Sequence, residues 1–537
     1  MAQPRIHARE TNASPVNRAS LELAPDLRAL LERRDNPIPR TRRIYVNRNL
    51  RMDHIEAIGF DMDYTLAIYH MRRIEQLSFD MTLALLVRSF GYPEEILSIR
   101  YDHDFVMRGL VVDKEQGNLL KMDRFNHVGR VYHGRKLLDK EAWRKLYRDE
   151  KIRLSSPRYA WIDTLFALPE ASIYAEVIEL LEGRGGKLDY GKLYDDIREA
   201  IDTVHRDGSL KTEIKKDLPA YVYRDPELGA ALHKLRSGGK KLFVLTNSLF
   251  DYTDAVMTHL LDGQLPEYPS WRNYFDLVVV GGAKPRFFTE RHPFVELDES
   301  GAVVREAEHL ERGKVYEGGN LVDLERLAGF GGEHVLYVGD HIYGDILKSK
   351  KSSLWRTCMI VEELEAELAW MEKAAPQLRD LAVAEKLRAR LEDELGHQKS
   401  RLNAVERKLE RGDVDGRSPA ALEVDRAEAK RDLEQVRRAL REVGGVVTRL
   451  GDAVETGYNR HWGLMFKEGN ENSRFGEQVE DYACLYTSRV SNFLFASPMQ
   501  YFRSPRDVMP HEVGLEAISP FGGDARRPGD RSREQAG

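Results

Sequence analysis

Apolar runs of strand length alternate with helix-periodic segments in two parts of the chain, a pattern typical of α/β proteins. Apolar residues recur at helical spacing over 78–90 and 226–237. Because strongly apolar strands are buried on both faces, we expect a Rossmann-like parallel sheet with helices packed against it. The C-terminal ends of such strands meet along one edge, where open α/β sheets bind ligands. The predicted strands are 58–60, 241–248, 275–280 and 334–340.

Residues 100–215 interrupt this alternation. Between 100 and 135, short apolar stretches are separated by Gly, Asn and Asp, which predicts small β-hairpins. Amphipathic helices are predicted between 160 and 205. We therefore assign 100–215 to an inserted α+β cap or substrate domain, which divides a core domain into residues 41–99 and 216–360.

Residues 361–450 are rich in Glu, Arg, Leu and Ala and carry apolar residues at heptad spacing. A turn is indicated by Gly, Asp, Ser and Pro at 412–419. The pattern predicts a C-terminal antiparallel helical hairpin, serving either as the contact of a homo-oligomer or in packing within the chain. The heptad positions are Leu391, Leu395, Leu402, Val405 and Leu409, then Ala429, Leu433, Val436, Leu440 and Val443.

The remaining segments have different compositions. Residues 1–40 are polar with several Pro and Arg, and we expect a mobile N-terminal segment. The segment 451–520 contains aromatic and apolar stretches and is expected to pack on the core. Residues 521–537 are rich in Arg, Asp and Gly, which predicts a disordered tail.

Charge and cysteine content narrow the class of protein. The 537 residues include 82 basic and 88 acidic ones, for a net charge of −6. This balance argues against a nucleic-acid partner, which normally requires a basic excess on one face. Cys358 and Cys484 are the two cysteines and show no metal or disulfide spacing. Since no signal peptide or span of ~20 apolar residues is present, we expect a soluble, cytoplasmic protein without a membrane partner.

Asp61 and Asp63 follow the first predicted strand and are the centre of the expected chemistry. Two carboxylates this close repel each other unless a cation lies between them or one keeps a proton. Both arrangements suit phosphoryl transfer. An ionised Asp61 can attack phosphorus to form an aspartyl phosphate, while Asp63 protonates the leaving oxygen and later activates water.

The other predicted strands also end in polar residues. Thr246 and neighbouring backbone amides can donate hydrogen bonds to a phosphate oxygen, and Lys284 supplies a positive charge. Asp340 and Asp345 add carboxylates. Mg²⁺ suits this set, because it binds a few carboxylates together with a phosphate oxygen and water. We therefore expect a Mg²⁺-dependent enzyme acting on a phosphate monoester.

Motifs at these strand ends resemble those of a known superfamily. D-M-D-Y-T at 61–65, L-T-N-S at 245–248, A-K-P at 283–285 and G-D-H-I-Y-G-D at 339–345 are similar to the four motifs of the haloacid dehalogenase superfamily. More narrowly, the chain resembles the cytosolic purine 5′-nucleotidases, from about 43 to 360 and again from about 475 to 512. The resemblance implies hydrolysis of purine nucleoside monophosphates such as IMP and GMP, with possible transfer of the phosphoryl group to another nucleoside.

The resemblance also implies roles for individual residues. Asp61 is expected to be the nucleophile and Asp63 the acid and base. The expected Mg²⁺ ligands are Asp61, Asp63 through its carbonyl oxygen, and Asp340, with Asp345 supporting the metal. The segment 196–211 resembles the family's substrate segment. The expected substrate-binding residues are Arg198, Asp202, His205, Lys211, Thr246, Asn247, Ser248 and Lys284, of which Thr246 and Lys284 also belong to the catalytic set.

Two alternatives stay open at this point. Arg206 stands where the family has an aromatic residue, which leaves room for a phosphatase of the same superfamily acting on another monoester. A non-catalytic scaffold that uses the helical hairpin is the other alternative. The presence of Asp61, Asp63, Lys284 and Asp340 speaks against a vestigial site.

Overall fold

The computed structural model describes residues 38–148, 150, 152–185, 188–341, 353–412 and 418–506. Nearly all of the predicted N-terminal segment and the whole predicted tail lie outside these ranges. From Thr41 onwards the chain forms one compact unit.

The strands of this unit are short. In chain order they are β1 (Tyr45–Val46), β2 (Leu50–Arg51), β3 (Ala57–Phe60), β4 (Ile68–Tyr69), β5 (Val111–Asp113), β6 (Asn118–Met122), β7 (Val128–His133), β8 (Lys136–Leu137), β9 (Tyr159–Trp161) and β10 (Val222–Tyr223). They continue with β11 (Lys241–Leu245), β12 (Leu277–Val280), β13 (Phe294–Leu297), β14 (Val303–Glu306), β15 (Val315–Gly318), β16 (Val335–Gly339), β17 (Arg356–Ile360), β18 (Lys467–Glu468), β19 (Glu471–Asn472), β20 (Leu485–Thr487) and β21 (Tyr501–Phe502).

A ten-stranded sheet lies at the centre, in the order β1-β20-β17-β16-β3-β11-β12-β15-β13-β14. Its interior, from β20 to β15, is parallel, and the remaining pairs at both edges are antiparallel. After β3, the chain adds β11 and β12 on one side and β16 and β17 on the other. The end of β3 is therefore a topological switch point, where such sheets bind ligands. The predicted fold class is confirmed.

The middle of β3 requires a glycine. Gly59 is paired with Phe243 on β11 and with Tyr337 on β16, so three residues form one row across the sheet. A Cβ atom at Gly59 would lie 2.2 Å from Phe243 Cζ and 2.8 Å from Tyr337 Cδ2. The missing side chain leaves space for the two rings to pack over β3.

Residues 100–215 contribute a second sheet and several helices. The sheet is antiparallel, in the order β8-β7-β6-β5-β9, which agrees with the predicted β-hairpins. The helices of this part are Lys140–Tyr147, Leu168–Glu182, Tyr190–Arg206 and Ser209–Lys216. They bury the apolar faces that the periodicity predicted, including Ile173, Val177, Ile197 and Ile201. The domain boundaries themselves stay a prediction.

Two long antiparallel helices form the hairpin, Ala375–Arg411 and Pro419–Tyr458. At ~1.5 Å per residue each is about 55–60 Å long. Arg401 pairs with Asp432 at 2.9 Å and Glu406 with Lys430 at 3.6 Å, so the helices run in opposite directions. Ser418 caps the second helix by accepting the N–H group of Ala421. Part of the predicted turn, 413–417, lies outside the described residues.

The segment after the hairpin enters the central sheet. β20 is parallel to β17 and antiparallel to β1, an insertion that the sequence pattern did not predict because the strand has only three residues. The remaining helices of more than a few residues are Met71–Phe90, Leu228–Ser237, Phe250–Leu261, Leu321–Ala328, Leu364–Lys373 and Arg474–Tyr482. Within the described part of the chain, none of the helices is long and apolar enough to cross a membrane.

Candidate active site

Asp61 and Asp63 lie in a tight turn at the end of β3. The N–H group of Asp61 donates to the carbonyl oxygen of Val338 at 2.9 Å, which extends the pairing of β3 with β16 by one residue. The carbonyl oxygen of Met62 accepts two N–H groups from later residues of the turn, at 3.2 and 2.9 Å. Tyr64 takes a left-handed conformation with φ 54°, which reverses the chain direction within the turn. The turn therefore directs both aspartates to the switch point.

Asn247 joins the loops that follow β11 and β12. Its side-chain amide donates to the carbonyl oxygen of Lys284 at 2.9 Å and accepts the N–H group of Lys284 at 2.5 Å. The backbone N–H group of Gly282 donates to the carbonyl oxygen of Thr246 at 2.8 Å. These bonds hold the Lys284 peptide in one position relative to the end of β11.

Lys284 contacts the predicted nucleophile. Its Nζ lies 3.0 Å from Oδ1 of Asp61, and its side chain is 3% exposed. The same ammonium group donates to the hydroxyl of Tyr337 at 2.8 Å, and this hydroxyl donates to the carbonyl oxygen of Leu245 at 2.9 Å. A buried positive charge is thereby held beside Asp61, where the charge of a phosphate would need compensation.

Asp63 accepts a hydroxyl hydrogen bond on each carboxylate oxygen. Tyr69 donates to Oδ1 at 2.5 Å, and Ser248 donates to Oδ2 at 2.6 Å. Behind Ser248, the ammonium group of Lys211 donates to the serine Oγ at 3.0 Å. The hydroxyl of Tyr252 lies 2.9 Å from that of Tyr69. The carboxylate of Asp63 is therefore fixed in orientation from two sides.

Asp340 lies at the end of β16 and is buried. Its carbonyl oxygen accepts a hydrogen bond of 3.0 Å from Arg108, whose side chain is completely buried. The same guanidinium binds Glu363 with two hydrogen bonds, of 2.8 and 2.5 Å. Arg108 thus connects the segment 100–215 to the end of β16. No sequence signal pointed to Arg108, because both of its partners are more than two hundred residues away.

The predicted Mg²⁺ site is only partly described. Asp345 lies outside the described residues. Among those that are described, no cluster of three or more His, Cys, Asp and Glu side chains is arranged to hold a metal ion. The donor set nevertheless fits Mg²⁺, which in phosphoryl-transfer sites takes one or two carboxylates, substrate phosphate oxygens and water. Asp61 and Asp340 are the carboxylates of this type at the switch point, and both are largely buried.

A cavity of about 260 Å³ begins at Asp63 and extends towards the helices of the segment 100–215. Most of the predicted substrate-binding residues border it, although they come from distant parts of the chain. The lining residues are Asp63, Tyr69, Ile74, Thr164, Phe166, Ala167, Glu170, Arg198, Ile201, Asp202, His205, Leu210, Lys211, Ile214, Asn247, Ser248 and Tyr252.

Arg198 lies in this lining between two carboxylates. Its Nη1 donates to Glu170 at 2.8 Å and its Nε to Asp202 at 3.2 Å, so Arg198 and Asp202, four residues apart, pair on one face of the helix Tyr190–Arg206. Glu170 is fully buried, and this burial raises the pKa of its carboxyl group. The guanidinium of Arg198 and the carboxylate of Asp202 together place hydrogen-bond donors and acceptors side by side.

The rings of Phe166 and His205 meet edge to face in the same part of the cavity, with centroids 5.2 Å apart. Burial, together with the charge of Lys211, lowers the pKa of His205 to about 4. The imidazole is therefore neutral at pH 7. Its Nε2 atom is buried and has no hydrogen-bond partner among the described residues. A ligand in the cavity could supply that partner.

Two predicted site residues, Thr246 and Lys284, and the divergent residue Arg206 lie outside the cavity lining. Thr246 is buried behind the cavity lining, where its hydroxyl accepts the N–H group of Ser248 at 3.1 Å. Lys284 also lies behind the lining, against Asp61. Arg206 is 68% exposed and pairs with Glu199 at 3.0 Å instead of bordering the cavity. The aromatic walls, Phe166 and Tyr252, carried no sequence signal, because isolated aromatic residues are usually part of a core.

Comparisons with known proteins identify the family of this chain. The profile of the 5′ nucleotidase family matches residues 44–514. A 5′-nucleotidase domain-containing protein of Dictyostelium discoideum is 31% identical over 480 residues, which cover 88% of this chain and 75% of that protein. Human 5′-nucleotidase domain-containing protein 2 is 35% identical over 369 residues, covering 66% of this chain and 68% of the human protein.

Among solved structures, CbbY from Rhodobacter sphaeroides in complex with phosphate covers 57% of this chain and 86% of its own, with 14% identity and a TM-score of 0.21. A 2-haloacid dehalogenase from Pseudomonas syringae covers the same shares, with 16% identity and a TM-score of 0.20. The match of the family profile confirms the resemblance to 5′-nucleotidases that the four motifs indicated. The chain therefore belongs to the 5′ nucleotidase family of hydrolases.

Proposed function

We propose that this protein is a Mg²⁺-dependent 5′-nucleotidase that hydrolyses purine nucleoside 5′-monophosphates of the IMP and GMP type. Family membership supports hydrolysis of nucleoside monophosphates in general. One observation supports the specific proposal of a purine nucleotide as substrate. Asp63 borders a cavity whose lining also contains Arg198 and Asp202. Asp61, two residues before Asp63, is not part of that lining and contacts Lys284 at 3.0 Å.

In the first step, a carboxylate oxygen of Asp61 attacks phosphorus and the bond between phosphorus and the nucleoside 5′-oxygen breaks. Asp63 gives its proton to that leaving oxygen, so the nucleoside departs as an alcohol. Lys284 compensates the negative charge that develops beside Asp61. The hydroxyl of Ser248 donates a hydrogen bond to Asp63 and can donate it to a phosphate oxygen instead when substrate binds.

In the second step, a water molecule attacks the phosphorus of the aspartyl phosphate. Asp63 takes a proton from this water, the bond between phosphorus and Asp61 breaks, and inorganic phosphate forms. A nucleoside 5′-hydroxyl can replace water in the same position. The phosphoryl group is then transferred to a second nucleoside, which is the phosphotransferase activity implied by the sequence resemblance.

Asp61, the carbonyl oxygen of Asp63, and Asp340 are proposed to hold Mg²⁺, with Asp345 in support. The ion would neutralise charge on the phosphate oxygens when bound. Arg108 contributes by fixing the backbone of Asp340 at the end of β16.

Purine recognition is proposed for the far part of the cavity. Phe166 and His205 provide ring surfaces against which a base can pack, and the unpartnered Nε2 of His205 can exchange a hydrogen bond with it. Arg198 and Asp202 offer a donor and an acceptor to the polar edge of a 6-hydroxypurine. The exposed Arg206 does not take part, so its departure from the family pattern does not exclude a purine.

The test is a panel of phosphate monoesters with and without Mg²⁺, assayed by phosphate release. IMP and GMP should be hydrolysed with Mg²⁺, and Asp61→Asn should abolish the activity. Asp80→Asn, at an exposed helix position, is the matched control. Release from sugar phosphates alone would favour another phosphatase of the superfamily. A wild-type protein inactive on every monoester would favour the scaffold alternative.

A further inference from the structure

Tyr69 lies on β4, eight residues after Asp61 and outside the four motifs. β4 pairs antiparallel with β10, and Tyr69 is buried between the turn after β3 and the helix Phe250–Leu261. Its ring packs edge to face on Tyr64, with centroids 4.9 Å apart. The phenol is therefore held in place by packing, independently of any ligand.

The direction of the hydrogen bond between Tyr69 and Asp63 follows from which group has a proton to donate. A phenol has a proton to donate at neutral pH, and Oδ1 of Asp63 has lone pairs that accept it even when Oδ2 carries the proton that the acid later gives. Tyr69 therefore donates to Oδ1 of Asp63, at 2.5 Å. The hydroxyl of Tyr252, 2.9 Å away, then donates to the oxygen of Tyr69. Hydrogen bonds arranged in such a chain strengthen one another.

The two partners of Asp63 differ in their surroundings. Ser248 is also bonded to Lys211 and belongs to the predicted substrate-binding set, so substrate phosphate competes for its hydroxyl. Tyr69 and Tyr252 are bonded to each other and are not part of that set. When Ser248 turns to the substrate, Oδ2 of Asp63 becomes available to the leaving oxygen while Oδ1 keeps its bond to Tyr69.

We propose that Tyr69, supported by Tyr252, is a positioning residue that aims the acid Asp63 at the leaving oxygen of the substrate. The proposal rests on the proposed function, in which Asp63 protonates the nucleoside 5′-oxygen. In the first step Tyr69 acts only on the transfer of a proton to the leaving group. Release of the nucleoside in a single turnover isolates this effect from the later attack of water, in which Asp63 is the base.

The dependence on leaving-group protonation can be tested by changing the leaving group. A nucleoside 5′-alkoxide is strongly basic and must be protonated as it leaves. A thiol has a pKa of about 8.5, so a 5′-thiolate departs without an acid. A nucleotide in which sulfur replaces the bridging 5′-oxygen therefore tests nucleophilic attack while bypassing Asp63.

The experiment compares Tyr69→Phe with the wild type in single-turnover release of the nucleoside from IMP and of the 5′-thionucleoside from the 5′-thio analogue. General acid catalysis contributes roughly 10²–10⁴-fold, so a misaimed acid should lower this first-step rate on IMP by about 10–100-fold. We expect KM for IMP, and the first-step rate on the analogue, to change less than about threefold. Tyr252→Phe should show the same selective loss to a smaller extent. Tyr316→Phe, another buried tyrosine of the central sheet, is the matched control.

Equal losses on the two substrates would overturn the proposal, because a structural defect impairs both alike. An unchanged first-step rate on IMP would also overturn it. A double mutant gives an independent check with IMP alone: Tyr69→Phe should add no further loss in an Asp63→Asn background, and an additional loss would contradict the proposal. A wild type inactive on IMP would instead refute the proposed function.

Discussion

The hydroxyl of Tyr337 accepts a hydrogen bond of 2.8 Å from the ammonium group of Lys284. Tyr337 belongs to β16 and Lys284 to the loop after β12, so this contact reaches past β3 and β11 in the sheet order. It is possible because Gly59 leaves room for the tyrosine ring above β3. The position of Lys284 beside Asp61 thus depends on residues from four strands.

Removing this hydroxyl should weaken catalysis without preventing folding. Tyr337→Phe keeps the ring and its packing but leaves the buried ammonium with one acceptor fewer. Loss of a hydrogen bond to a charged group costs about 1.5–3 kcal/mol, so we expect kcat for IMP to fall by at least about tenfold. Steady-state kinetics check this, with Tyr316→Phe as control. Wild-type kcat in Tyr337→Phe would contradict a role in holding Lys284.

Gly59→Ala should destabilise the central sheet. The added Cβ would overlap the rings of Phe243 and Tyr337, and overpacking of this kind typically costs about 1–3 kcal/mol. Thermal unfolding should show a lower midpoint than the wild type. Gly396→Ala is the control, because Gly396 lies in a long hairpin helix with open space around its Cα, where alanine should stabilise by about 0.5–1 kcal/mol. Equal midpoints for the two variants would refute the packing argument.

Arg198 should determine affinity for the base more than the chemical step. Arg198→Lys keeps the positive charge that Glu170 needs but loses the planar fork that can bind a base edge together with Asp202. We expect KM for IMP and GMP to rise about tenfold, equivalent to about 1.4 kcal/mol, with kcat little changed. Arg206→Ala, which removes an exposed ion pair with Glu199, should leave KM unchanged. Similar KM values for both variants would argue against the base-binding role.

Burial of His205 predicts a pH dependence of stability. Its pKa falls from 6.5 in the unfolded chain to about 4 in the folded protein, so between these values the unfolded state binds the extra proton. The contribution of His205 to the free energy of unfolding is fully present above pH 6.5 and is lost as the pH falls towards 4. At pH 5 the loss is at most about 2 kcal/mol.

His205→Gln should therefore lose less stability than the wild type between pH 7.5 and pH 5, measured by thermal or denaturant unfolding. His127→Gln is the control, because the side chain of His127 is 78% exposed. If His205→Gln and the wild type show the same change with pH, the imidazole is not neutral in the folded protein.

Sequence patterns predicted the structural features that depend on residues close together in the chain. The apolar runs identified β3, β11, β12 and β16, and the motifs after them placed Asp61 and Lys284 at one sheet edge. The short strands β13 and β14, at one end of the sheet order, were missed, because four residues with mixed polarity carry no clear period.

The supporting residues of the site could not be predicted for a different reason. Glu170 and Arg108 act through side-chain contacts with residues 28 and 255 positions away in the chain. Tyr69 contacts Asp63 six residues before it, but its other partner, Tyr252, is 183 residues away. Periodicity and spacing report only local structure, so such contacts become visible when the chain is folded. The described structure also shows that Thr246 directs its hydroxyl to a backbone N–H group, which spacing alone could not indicate.

The contacts of Arg108 have a consequence for motion. Its fully buried guanidinium binds Glu363, which follows β17 and is 22% exposed, and the carbonyl oxygen of Asp340 at the end of β16. Breaking these contacts would leave a buried charge without its partners and would cost several kcal/mol, so the chain around residue 108 should move together with the ends of β16 and β17. We therefore expect movement that admits substrate to occur in residues after Arg108. In hydrogen exchange, amides near Arg108 should stay protected as long as those of β16, while amides of the helix Tyr190–Arg206 exchange sooner. Substrate entry would then depend on the helix that carries Arg198 and not on the segment around Arg108.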